Sequence, residues 1–211
     1  MVNMVNKSER NLEDYTRAGA ELRLLQLLSV NVQHSVQNLT TSPNVRRLNR
    51  ALSILYDTCA ELEDRMRCDL AGLIQRAELS RRDCEHVFYV YGDYQYSNSS
   101  RTRLPRSKRT IKMYVRAGAE MRIFTKILSK LYADASKLLP ISESKRIGTA
   151  VNIINAVCSE VESNMLEDFP HISQSYETEF YGKNDNPAFY SVNEQVNKLM
   201  REILESLLSE E

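Results

Sequence analysis

Apolar residues recur along this chain at alternating steps of four and three. Ala18, Leu22, Leu25, Ser29, Val32, Val36 and Leu39 form one row, with Ser29 its polar member, and Ala117, Met121, Phe124, Leu128, Leu131, Ala135 and Leu138 form another. That period draws a stripe down a helix, whereas a strand would alternate every second residue. Thr40-Thr41-Ser42-Pro43 breaks the first row, with Ser42 placed as a cap and Pro43 at the first helical position. Pro140 and Ser142 play the same part after the second row. A return stripe follows each break: Leu48, Leu52, Leu55, Cys59, Leu62 and Met66, then Ile147, Val151, Ile154, Cys158, Val161 and Met165. Each helix is expected to run about 25–32 residues, or roughly 40–48 Å at 1.5 Å per residue.

The two hairpins read as one module written twice. Residues 15–69 align with 114–168 at a constant offset of 99, with 16 identities in 55 positions; ordinary residue usage would give roughly three. Arg17-Ala18-Gly19-Ala20-Glu21 recurs as Arg116-Ala117-Gly118-Ala119-Glu120, and Tyr15, Arg23, Arg47, Cys59, Glu61, Glu63, Met66 and Asp69 have identical mates. One hairpin cannot bury its stripe alone, but two can. The pattern therefore predicts an all-α, four-helix-bundle-like protein of two tandem copies of a long antiparallel helical hairpin. Exchange of hairpins between two chains is the rival arrangement.

A Tyr-rich stretch follows each hairpin. Residues 86–96 place β-formers on both sides of Gly92-Asp93, which suits a tight β-hairpin; residues 179–190 are looser and read as a hairpin or loop. A last amphipathic helix is expected from Asn193, with Val196, Leu199, Met200, Ile203, Leu207 and Leu208 on one side. The predicted organisation is a first repeat over 1–96, a basic linker over 97–110, a second repeat over 111–191 and a C-terminal helix over 192–211. The copies are expected to pack as one domain.

Composition narrows the function classes. With 211 residues, 42% hydrophobic and 27% charged, the chain can build a core, and only six glycines and five prolines argue against turn-dense β folds. No apolar run reaches the ~18 residues of a membrane span, and the first residues lack a basic stretch followed by an apolar core. A cytoplasmic protein that does not enter membranes is the expectation. Cys59, Cys68, Cys84 and Cys158 stand far apart with no C-x-x-C pair, so neither a zinc site nor a disulfide framework is expected.

Candidate chemistry rests on the shared charges. A turn near residues 41–42 brings position i close to about position 83 − i, which would set Glu21 near Glu61 and Glu63 with Arg17 and Arg23 within a turn. Arg116, Glu120, Arg122, Glu160 and Glu162 are their mates. The set reads first as a structural charge network. A Mg²⁺-dependent nucleotide phosphohydrolase on Glu21, Glu61 and Glu63 is the catalytic alternative. Against it, two arginines flank the acids, and Glu61-x-x-Asp64 becomes Glu160-x-x-Ser163. None of the three histidines sits three residues after a glutamate, which excludes a di-iron bundle. Ala18, Gly19, Ala20 and their mates Ala117, Gly118 and Ala119 suit close helix packing, most simply where the copies cross, because a glycine inside a helix costs about 1 kcal/mol relative to alanine. Cys59 and Cys158 fall on core stripes and read as small apolar residues.

Charge is balanced at 28 basic and 28 acidic residues, but not along the chain. Residues 159–211 hold 12 acids and 3 bases, a net of −9, leaving +9 for residues 1–158. Arg101, Arg103, Arg106, Lys108, Arg109 and Lys112 run without an acid just after Tyr89, Tyr91, Tyr94 and Tyr96. Stacking rings beside flexible cations suit single-stranded nucleic acid. The plainer readings are a solvated linker, or one docked on the acidic C-terminal region of the same or a neighbouring molecule. No motif is specific enough to name a family. The expected function is a non-enzymatic binding or assembly module without cofactor or metal, meeting a protein partner or further copies of itself, with nucleic-acid binding through 86–112 as the alternative.

Overall fold

A computed structural model describes residues 10–76, 87, 88, 103–170 and 205. The described residues form packed α-helices with no strand: α1 Leu12–Gln37, α2 Ser42–Gln75, α3 Ile111–Leu138 and α4 Ile141–Asp168, with a 3₁₀ turn at Arg106–Lys108. Of the expected C-terminal helix only Glu205 is described, and it is helical and exposed. The expected Tyr-rich β-hairpin lies outside the described residues apart from Val87 and Phe88, and the counterpart over 179–190 lies outside them entirely. No described helix is long and apolar enough to cross a membrane.

The first turn starts α2 one residue earlier than a Ser42 cap predicts, and the second starts α4 at Ile141, directly after Pro140 and not after a Ser142 cap. Thr41 O, not a Ser42 cap, receives the N–H groups of Asn44 and Val45, and Pro140 O receives those of Glu143 and Ser144. Thr41 and Pro140 thus close the first turns of α2 and α4 through their carbonyls. The Asn44 side chain donates to Thr40 Oγ1 and Thr41 Oγ1 and stiffens the first turn.

The stripes are buried as their spacing requires. All seven positions of each first row and eleven of the twelve return positions lie inside; Val151 is half-buried, and Ala150 beside it is fully buried. Each large apolar side chain removed from water contributes about 1.5–3 kcal/mol.

The chain divides into two compact units. One takes Met1–Leu27, Arg50–Gln95 and Ile127–Val151, the other Leu28–Asn49, Tyr96–Lys126 and Asn152–Glu211, so each draws a length of every helix. In the first unit α1 and α2 run antiparallel: Tyr15 Oη donates to Asp69 at 2.7 Å, and Gln26 Nε2 reaches Cys59 Sγ at 3.0 Å. In the second unit α3 and α4 do the same, with Tyr114 Oη donating to Asp168 at 2.5 Å and Cys158 Sγ lying 3.8 Å from Met121 Sδ.

Candidate functional site

Two buried clamps tie the start of one helix to the end of the next. Arg10 Nη1 donates to Asp69 Oδ2 at 2.7 Å, and the same oxygen accepts the Tyr15 hydroxyl; the Arg10 and Asp69 side chains are 3% and 2% exposed. In the second unit Arg109 and Tyr114 meet on Asp168 Oδ2, and the Phe169 ring stands edge-on to Tyr114. Burial, then the neighbouring carboxylate, pushes both phenols above their ordinary range. The tyrosines therefore stay protonated donors.

The basic segment docks on the end of α4. Arg103 donates to Asn164 Oδ1 at 2.8 Å, and Arg106 donates to the carbonyls of Glu167 at 2.5 Å and Asp168 at 3.1 Å. Leu104 N–H donates to Asn38 O at the end of the α1 hairpin. Guanidinium groups on the last carbonyls of a helix meet its negative end. Lys108 is exposed, while Tyr89, Tyr91, Tyr94, Tyr96 and Arg101 lie outside the described residues.

The remaining shared charges disperse. Glu21 is buried and pairs with Lys130 Nζ at 2.9 Å, beside Asp134; burial pushes its carboxyl up, Lys130 pulls it down and Asp134 adds to the rise. Glu61 meets Arg146, which also donates to Asp57 at 2.7 Å. Glu63 takes Arg67 at 2.5 Å, and Arg17 turns outward to Glu13 at 3.2 Å. Glu21 is thus held by a cation of α3, and Glu61 by one of α4. Arg23 is half-buried, Arg122 is buried, Glu160 is exposed and Glu162 is half-buried. Among the described residues, no group of three or more His, Cys, Asp or Glu could hold a metal ion.

The small-residue stretch of α1 has a different neighbour from a crossing helix. A Cβ on Gly19 would lie 2.4 Å from Val87 O and 2.6 Å from Val87 Cγ1. Gln26 Nε2, on the same helix, donates to Phe88 O at 2.9 Å, and Phe88 is buried. Glycine is required there because backbone packs directly on it. Ala18 is buried and Ala20 exposed, while Ala117, Gly118 and Ala119 are all buried. Cys59 and Cys158 are buried thiols pushed up to about 12, by burial first, and are neutral at pH 7.

The second unit also holds a cleft of about 410 Å³ lined by Asn31, His34, Ser35, Asn38, Met113, Arg116 and Glu120. Glu120 is fully buried; its Oε1 accepts from Arg116 Nε at 2.9 Å, and its Oε2 has no hydrogen-bond partner. The Arg116 side chain is 60% exposed. Spacing alone singled out Glu120 but not the polar wall of α1 across from it. Arg10 escaped the sequence reading and Arg109 was read only as part of the basic run, although the two stand 99 residues apart, five positions before the aligned block. No family model, curated protein or solved structure matches the chain.

Proposed function

We propose that the chain is a tandem duplication of one helical-hairpin module. We propose further that it works as a non-catalytic binding or assembly protein in the cytoplasm, meeting a protein partner and further copies of itself. The supporting observation is how the shared charges are used. Arg10–Asp69–Tyr15 and Arg109–Asp168–Tyr114 are the same clamp at an offset of 99, and each holds two helices together. Glu21 and Glu61, the acids a phosphohydrolase would need, carry cations from α3 and α4. Three arginines of the basic segment are turned onto α4, which favours the docked-linker reading over nucleic acid.

Surface features support a binding role. Val30, Tyr56, Tyr132 and Ile141 are large apolar side chains left 40–69% exposed. The opposed charges of residues 1–158 and 159–211 favour contact between copies. Sedimentation velocity at micromolar concentration tests this. The expected result is a mass above the 24.3 kDa of one chain that falls as salt rises. A single chain's mass at both low and moderate salt would overturn self-association.

A further inference from the structure

Docking of the basic segment gathers three lengths of chain at one end of the second unit. Leu104 N–H donates to Asn38 O beside the α1–α2 turn, Arg106 reaches the last carbonyls of α4, and Thr110 O receives the N–H groups of Met113 and Tyr114 at the start of α3. Residues 38–47, 103–113 and 164–170, which meet there, hold seven bases and two acids. Asp168, one of the two acids, is already matched by Arg109. Arg46, Lys108 and Lys112 are exposed, and none of them pairs with an acid among the described residues. Lys112 lies in the first turn of α3, where the macrodipole is itself positive. The hairpin pattern does not ask for these cations, because 99 positions before Lys108 and Lys112 the chain carries Glu9 and Glu13. A local surplus of one sign draws a partner of the other.

We infer that this end of the second unit receives the acidic segment 202–211 of a second copy. Those ten residues hold Glu202, Glu205, Glu210 and Glu211 and no base. Glu205 is exposed, and so is open to a neighbouring chain. Tyr114 is buried and Phe169 half-buried, so neither ring is laid open for the stacking that single-stranded nucleic acid uses. Two copies that exchange these segments reciprocally close a dimer. The inference rests on the self-association proposed above and adds which two surfaces meet.

Sedimentation velocity of the full chain and two charge-reversed variants at low salt tests it. One variant carries Arg46→Glu, Lys108→Glu and Lys112→Glu; the other carries Glu202→Lys, Glu205→Lys and Glu210→Lys. The parent should sediment as two chains and each variant as one, with the Kd raised by more than about tenfold because like charges then face each other. An equimolar mixture of the two variants should recover the two-chain mass, since each offers what the other lacks. That recovery separates a lost contact from a lost fold, and a mixture that stays at one chain's mass would overturn the inference. A two-chain parent whose mass survives either reversal would also overturn it and leave self-association standing. A parent of one chain's mass would remove both. A labelled DNA or RNA duplex that binds the parent but not the basic-end variant, while reversal of the acidic segment leaves the mass unchanged, would give the surface to nucleic acid instead.

Discussion

Glu21 in the first unit and Glu120 in the second occupy matching positions of the repeated Arg-Ala-Gly-Ala-Glu block, yet they meet different cations. Glu21 is held by a lysine of α3 and crowded by Asp134; Glu120 is held by the arginine of its own preceding turn. Arg17, the mate of Arg116, is turned to Glu13 instead, and the mate of Glu13 is Lys112. Thus one change, Lys at 130 against Asn at 31, goes with a different pairing around each glutamate. The Arg–Asp–Tyr clamps, in contrast, are the same on both sides. The constant element is read as the part that holds the hairpin, and the divergent element as the part free to acquire a role.

The largest effect should come from the element that does not differ. Asp69→Ala and Asp168→Ala each strand a buried arginine, and each should cost about 3–5 kcal/mol in chemical denaturation. Similar losses sharpen the comparison, and a loss on one side only breaks it. Next comes Gly19→Ala, where a methyl group would meet the Val87 backbone. Overpacking there should cost about 1–3 kcal/mol, with Gln26 losing its hold on Phe88. Lys130→Met should cost less, about 1 kcal/mol, because the lysine is 64% exposed and solvent screens it.

The smallest effect is one of pH. The Glu21 carboxyl is raised above its ordinary range, so the folded state binds its proton more tightly than the unfolded chain does. Its contribution is full below the unfolded value and is lost as pH rises through the folded one. The difference in Tm between the parent chain and Glu21→Gln should therefore shift in favour of the parent as pH falls from neutral into the carboxylate range. A difference independent of pH would show that burial does not raise this group.

The helix stripes were legible because a period near 3.6 leaves the same face inward whatever the neighbours are. That is why Leu22, Phe124, Leu62 and Val161 all lie buried. The partners of the charged residues were not legible from hairpin geometry alone. Lys130 and Arg146 come from the other hairpin, and Lys130 has no identical mate to flag it. Gly19 was legible as a close approach but not as an approach by Val87, since a glycine records only that something comes near. Arg146 shows a further limit. Its mate Arg47 is identical but donates to Asn44, and Ala156 stands where Asp57 would be. Identity between copies therefore marks a residue without fixing its bond.

A matched pair of double-mutant cycles in chemical denaturation tests the central claim most directly. One cycle takes Lys130→Met and Glu21→Gln; the other takes Asn31→Lys and Glu120→Gln. If the hairpins are copies of one module, the lysine introduced by Asn31→Lys should couple favourably to Glu120. That coupling should match the one between Lys130 and Glu21 to within about 0.5 kcal/mol. No coupling, or coupling of the opposite sign, would show that the two glutamates are not equivalent positions and would contradict the duplication.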